Sequence, residues 1–267
     1  LVYRDAEKLK LLDQAYGDTA KHTHVTFDLA AIHHDFLTGF PAGSTSPVLQ
    51  KLVADIGKVD AVINCAGVIK PYSLKEPMMT MFVNGAFPHL LAAIYGPKLI
   101  QITTDCAFSG IAGAPYTEES PKSPNDLYGL SKSLGEPADR SLVLRTSIIG
   151  PEIHGFVSLI EWVKKQAGKE AKGFTRHLWN GITTKQFGKI VDEIVGNRSN
   201  YPAYGLFHIF GSDVNKYEMV TAIAKKYNVD VKISPDDGPV LDRRLGSVKE
   251  LCAKLKVPTY QAMLNDL

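Results

Sequence analysis

The chain has 267 residues, with 30 Lys+Arg against 28 Asp+Glu, a formal charge of +2 and 45% apolar residues. This is a globular composition that can bury one large α/β core without staples, so a disulfide scaffold is excluded. Cys65, Cys106 and Cys252 are odd in number and lack CxxC or Cys/His ligand spacing, which fits reduced cytoplasmic thiols and no metal site. No apolar run approaching the roughly 20 residues of a membrane span, no secretory leader and no basic stripe for nucleic acid is expected.

Taken in chain order, β-branched runs predict strands at Leu1–Tyr3, His24–Phe27, Asp60–Asn64, Leu99–Thr103 and Leu142–Arg145. Amphipathic segments separate them, as in SPVLQKLVADIG, where Val48, Leu49, Leu52, Val53 and Ile56 recur at helical spacing. The alternation predicts βαβ units, a parallel doubly wound Rossmann-like sheet over 1–150, and a smaller, interleaved C-terminal α/β substrate lobe over 151–267. In that lobe SLIEWVKKQ, ITTKQFGKIVDEIV and NKYEMVTAIAKKY read as helices and GLFHIF as a strand. Segments 39–47 and 109–124 read as loops, and the second is long enough to suggest function.

A dinucleotide-binding sheet normally opens with a strand, a G-x-G-x-x-G loop and a helix that holds the pyrophosphate. No such run occurs, and VYRDAEKL reads as the end of a second strand and its helix. The expectation is that roughly 25–30 residues, one strand–loop–helix unit, precede the numbered chain in the natural protein. The rival is an α/β fold that never had the loop.

The strongest local signal is Tyr128-Gly-Leu-Ser-Lys132, with Thr104 at a strand end 24 residues upstream. Tyr and Lys four apart share a helix face. There an ammonium draws a phenol's pKa down from about 10, and a nearby hydroxyl can hold the substrate oxygen. Taken alone, Y-x-x-x-K is common in helices; the strand-end threonine, where α/β sheets place ligands, raises its weight.

With those residues in view, the chain resembles the extended short-chain dehydrogenase/reductases, and within them the dTDP-4-dehydrorhamnose reductase-like sugar-nucleotide reductases. The resemblance rests on DAVINCAG (60–67), VNGAFPHLLA (83–92), LIQITTDCAFSG (99–110), PYTEESPKSPNDLYGLSKSLGE (115–136), LVLRTSIIG (142–150) and GITTKQFGKIV (181–191). It implies a catalytic set of Thr104, Tyr128 and Lys132. Tyr128 would protonate a carbonyl oxygen, Thr104 would hydrogen-bond it, and Lys132 would hold the nicotinamide ribose.

For the cofactor, NADP or NAD, the resemblance implies Arg4, Asp28, Leu29, Cys65, Ala66, Gly67, Asn84, Thr103 and Ser147 along with Tyr128 and Lys132. Arg4 suits a 2′-phosphate and favours NADP, while the adjacent Asp5 could instead choose NAD. Asp28 could equally be a helix cap, Thr104 a turn cap, Asn84 a helix-face amide and Ser147 a turn hydroxyl. For a nucleotide-linked keto-sugar the implied contacts are Asp105, Cys106, Phe108 and Arg243. His177, Trp179 and Asn180 line a lobe interface or, for Trp179 by preference, fill core.

The implied activity is NAD(P)H-dependent reduction of the 4-keto group of a nucleotide-linked 6-deoxy-hexulose in polysaccharide precursor synthesis, with a homodimer left open. Two rivals stand beside it: an epimerase or dehydratase on the same scaffold, which the carboxylate of Asp105 beside Thr104 would serve, and a non-catalytic NADP-binding regulatory subunit. Ile148 stands where better-known family members carry an aromatic after R-T-S, which leaves the hexulose open.

Overall fold

The computed structural model describes residues 1–17, 19–39, 46–111 and 113–267. The loop expected over 39–47 therefore lies largely outside the described residues. The chain forms two compact units, residues 1–60 with 152–156, and residues 61–151 with 157–267.

In the first unit β1 (Val2–Tyr3) pairs in parallel with β2 (Val25–Thr26), Val2 opposite Val25. Between them runs α1 (Ala6–Tyr16), started by the Asp5 carboxylate on the Glu7 N–H and ended by Gly17 in the left-handed region. Asp28 caps α2 (Leu29–Thr38) and Ser46 caps α3 (Pro47–Ile56). Leu49 and Leu52 are buried on α3 and Ile32 on α2, the apolar stripe that helical spacing predicts.

The second unit is built on a four-stranded parallel sheet in the order β10-β5-β4-β3. Its first strand is β3 (Val62–Asn64). Helices α4 (Lys70–Ser73) and α5 (Pro77–Met81), a π-helical turn at Phe82–Ala86 and α6 (Phe87–Tyr95) lead to β4 (Leu99–Thr104). A 3-10 turn at Asp105–Ala107 and α7 (Leu127–Leu134) follow, then β5 (Leu142–Thr146) and the short β6 (Ile148–Ile149). Next come α8 (Leu159–Lys164), β7 (Lys169–Phe174), β8 (His177–Trp179), β9 (Ile182–Thr183) and α9 (Thr184–Gly196). The chain continues through β10 (Gly205–His208), β11 (Val214–Asn215), α10 (Lys216–Lys226), β12 (Val231–Asp236), β13 (Leu241–Asp242), α11 (Leu251–Leu255) and α12 (Tyr260–Asp266).

β4 and β5 are buried along almost their whole length, as central parallel strands are. Ile100, Leu142 and Leu144 pack with Phe187, Ile190 and Ile194 of α9. A second core joins Ile160, Trp179, Met219, Ile223 and Leu264. Two smaller sheets, β11-β8-β13 and the parallel pair β12-β7, give the C-terminal part its α/β character.

β10, from the part after residue 150, pairs with β5 from Gly205↔Leu142 to His208↔Arg145. Two expectations are corrected. The five N-terminal strands do not form one sheet, because no described strand hydrogen-bonds the outer edge of β3 and β1-β2 pair by themselves. The helical run Pro77–Lys98 is, by length and composition, apolar enough to cross a membrane. Half of its most apolar window is buried inside the protein, where Phe82, Val83, Phe87 and Leu91 serve as core.

Candidate active site

The carboxyl ends of parallel strands are where α/β sheets hold ligands, and the candidate residues collect at the ends of β3, β4 and β5. Thr104 ends β4, accepting a hydrogen bond from the Cys106 N–H (3.2 Å) and donating to Asp105 Oδ1 (3.1 Å). It is thus a turn cap as well as a candidate catalytic hydroxyl.

Tyr128 lies in the first turn of α7, which begins at Asp126. That carboxylate accepts from the Gly129 N–H at 2.7 Å and pairs with Lys70 at 2.7 Å. Gly129 lets the helix seat directly on the 3-10 turn, since any side chain there would collide with the Cys106 carbonyl oxygen. This approach brings the Tyr128 phenol close to the Thr104 hydroxyl.

One helical turn on, Lys132 is only 8% exposed and its ammonium donates to the Ile102 carbonyl at 2.8 Å. Burial draws its pKa down to about 8, against the favourable charges of Glu136 and Cys65. The expectation that Lys132 lowers the phenol's pKa is corrected. Burial, with Cys106, Asp105 and Asp126, pushes Tyr128 above its ordinary value, the nearby Thr104 hydroxyl opposing, so the phenol is a fully protonated donor at neutral pH.

Asn84 sits in the π-helical turn, a distortion often found at functional sites. Its amide accepts from the Val68 N–H (2.8 Å) and donates to the Val68 carbonyl (2.9 Å) and Ser131 Oγ (3.1 Å). It therefore staples the Cys65-Ala66-Gly67 loop to α7. A side chain at Gly67 would stand 3.8 Å from the Lys132 ammonium and fill the space beside it. That opening and the Lys132 charge fit the nicotinamide-ribose end of a dinucleotide.

Some candidates are committed elsewhere. Thr103 Oγ1 donates to Glu136 Oε1 (2.9 Å) and the Lys132 carbonyl (3.3 Å), so it braces the site from behind. Phe108 does not face a ligand: it is fully buried, stacked on Tyr116 at 4.3 Å beneath the Arg145 guanidinium. In the other unit Arg4 is exposed just after β1, while the carboxylate of Asp28 accepts from the Ala30 N–H at 3.0 Å as the cap of α2 and Leu29 begins that helix.

Asp105 is buried, which raises its pKa. Arg243 and the hydrogen bond from Thr104 oppose the rise. Ser147 Oγ accepts from Trp179 Nε1 at 2.8 Å, so Trp179 is core with its polar tip at the site. Arg243 donates to the Phe108 carbonyl (3.0 Å), Asn125 Oδ1 (3.2 Å) and Cys106 Sγ (3.8 Å). Burial and Asp105 push the Cys106 thiol up to about 12, so it stays neutral. Asn180 is spent on Leu245 and Asp213.

Sequence reasoning missed the support beneath the site. Glu136, 3% exposed, forks onto Arg145, 1% exposed, and also holds Lys122 at 2.6 Å. Arg145 in turn donates to His208 Nε2 at 2.8 Å, and burial with Arg145 lowers the His208 pKa. The signal was present as an Arg inside the apolar strand LVLRT, which demands a buried partner.

A parallel α/β sheet with a threonine at a strand end, and a tyrosine and a lysine one turn apart on the helix seated against it, defines the extended short-chain dehydrogenase/reductase class. The chain matches the family described as RmlD substrate binding domain over residues 44–250, and it belongs to that family. It is 30% identical over 168 residues to the spore coat polysaccharide biosynthesis protein SpsK of Bacillus subtilis (strain 168), covering 60% of this chain and 58% of that protein. The chain thus spans less than two thirds of that relative's length. It is 29% identical over 230 residues to methionine adenosyltransferase 2 subunit beta of Rattus norvegicus, covering 79% of this chain and 68% of that protein. The fold matches the crystal structure of dTDP-4-dehydrorhamnose reductase from Bacillus anthracis str. Ames in complex with NADP, with a TM-score of 0.70 and 18% identity over 99% of this chain and 96% of that one.

Proposed function

We propose that the protein reduces the 4-keto group of a nucleotide-linked 6-deoxy sugar, with NADP as the preferred cofactor and NAD as the alternative, for polysaccharide precursor synthesis. One observation carries the reading: at the end of β4 the Thr104 hydroxyl stands beside the protonated Tyr128 phenol, with the buried Lys132 ammonium one turn away. The family, the reductase fold neighbour solved with NADP and the polysaccharide role named for SpsK support it. The three free cysteines accord with a cytoplasmic setting.

In this reading Tyr128 delivers its proton to the carbonyl oxygen and Thr104 orients that oxygen. Lys132, with Gly67 and the loop stapled by Asn84, holds the nicotinamide ribose. A bound reduced nicotinamide supplies the hydride. The positive charge of Lys132 offsets the negative charge that develops as the phenol gives up its proton.

The test is NADPH oxidation by the whole protein with a panel of nucleotide-linked 4-keto-6-deoxy sugars. Stoichiometric loss of NADPH and a product two mass units heavier are expected. Isomerisation or dehydration of a nucleotide sugar without net NADPH loss would replace the reading with an epimerase or dehydratase. A second reading, a regulatory subunit, is favoured by the 79% coverage against the methionine adenosyltransferase subunit. It predicts tight NADPH binding and a stoichiometric enzyme partner with no turnover on any sugar.

A further inference from the structure

Lys216 is the first residue of α10, directly after Asn215 of β11. A cation there faces the positive end of the helix dipole, where acidic side chains are favoured. The helix start is otherwise fully served. Asn215 and Glu218 form a reciprocal capping box, so Lys216 has no part in holding the turn. Half-buried, it makes no hydrogen bond or ion pair with any described residue.

The sheet explains where its charge goes. β11 runs antiparallel to β8, with Val214 opposite Trp179 and Asn215 opposite Leu178, so the register carries Lys216 beside His177. On the other side of β8, β13 is parallel with Asp242 opposite Leu178, and Arg243 follows it. Gly110 gives Arg243 its room, since a side chain at that glycine would press on the Arg243 stem at 2.7 Å. Arg243 is anchored on Phe108 and Asn125 and so points at the turn that begins with Asp105.

The charges around this turn do not balance. Lys70 and Asp126 neutralise each other at 2.7 Å. The field of Lys216 and Arg243 falls on His177, which burial and these two cations hold neutral with a pKa of about 4. Among the described residues Asp105 is the acid that both cations act on. Two cations against one carboxylate leave an excess positive charge one residue from the candidate catalytic Thr104. A half-buried, unpaired ammonium next to a reactive centre is costly unless a ligand completes it.

We propose that Lys216 is a substrate-anchoring residue which, with Arg243, grips the sugar-proximal phosphate of a nucleoside diphosphate sugar, while Asp105 accepts from a hydroxyl of the same sugar. This rests on the reading of the site as a sugar-nucleotide reductase. A planar guanidinium fixed in place and an ammonium with no hydrogen-bond partner among the described residues are complementary holders of a phosphate group. The arrangement selects substrates with phosphate next to the ring to be reduced, over free sugars or nucleosides.

The test uses the whole protein with thymidine diphosphate and thymidine as probes, by calorimetry, beside steady-state kinetics on the nucleotide-linked keto-sugar. Lys216→Met is expected to weaken thymidine diphosphate binding at least tenfold and leave thymidine binding unchanged. It should raise KM for the sugar nucleotide by a similar factor, keep kcat within about twofold and leave NADPH affinity alone. Lys216→Arg, which keeps the charge, should recover affinity to within about threefold of wild type. Unchanged thymidine diphosphate affinity in Lys216→Met, equal losses for thymidine, or no diphosphate binding by the wild type would each overturn the proposal. A wild type that binds the diphosphate through Lys216 yet oxidises no NADPH would overturn the reductase reading and leave the anchor standing; turnover with a KM indifferent to Lys216 would do the reverse.

Discussion

Replacing Lys132 by Met should make the fold more stable while removing activity. Lys132 is 8% exposed, and burial lowers its pKa from 10.5 to about 8. Keeping the side chain charged at pH 7 therefore costs the folded state roughly 3 kcal/mol. The ammonium's one hydrogen bond goes to the Ile102 carbonyl, which also accepts from Gln101 Nε2 at 2.8 Å and so keeps a partner in the variant. Losing that charge-assisted bond offsets part of the gain, leaving Lys132→Met more stable than wild type by about 1–3 kcal/mol at pH 7.

The pH dependence has a definite sign. Below about 8 both states hold the proton and the cost is complete. As pH rises from about 8 toward 10.5 the folded lysine releases its proton before the unfolded one. Wild-type stability then rises relative to the variant, and the gap closes. Urea unfolding at pH 7 and at about pH 9.5 reads both effects, with NADPH oxidation measured on the same samples. A variant less stable than wild type at pH 7, or a gap that does not narrow with pH, would refute the argument that this lysine is held at a cost for function.

Glu136→Gln strands the fully buried Arg145 and should lower stability by about 3–5 kcal/mol in urea unfolding. The same change removes the carboxylate that favours the Lys132 ammonium, so the alkaline fall of kcat/KM should move to lower pH. In the wild type that fall should centre near the Lys132 value of about 8, checked by a pH–rate profile. Gly129→Ala meets the Cys106 carbonyl oxygen and should cut both stability and activity, whereas Gly188→Ala, on an open face of α9, should stabilise by about 0.5–1 kcal/mol by thermal melting.

The strands that order the parallel sheet were legible because β4 and β5 are buried along almost their whole length, and the β-branched and leucine-rich starts of LIQITT and LVLRT carry that signal in themselves. β7 and β12 were not, since KEAKGF and VKISPD mix Lys, Gly and Pro and expose much of their length. Tyr128 and Lys132 were legible because four residues of helix place both on one face, needing no tertiary information. Phe108 was misread because an aromatic after a strand-end threonine can turn either way, and the stacking partner Tyr116 that decides it lies on a separate loop segment. Lys216 was invisible for a related reason. β8, β11 and β13 are two or three residues each, and only their assembly brings His177, Lys216 and Arg243 to one turn.

The central claim is that Tyr128 protonates a carbonyl as hydride reaches its carbon. The most direct measurement is mass spectrometry of the sugar nucleotide formed by the whole protein from NADPH deuterated at the transferred position, in wild type and in Tyr128→Phe. The account predicts one deuterium at C4 of the sugar in the wild type, and a rate at least 100-fold lower in a normally folded Tyr128→Phe. Product without deuterium, or deuterium transfer at an undiminished rate without the phenol, would contradict it.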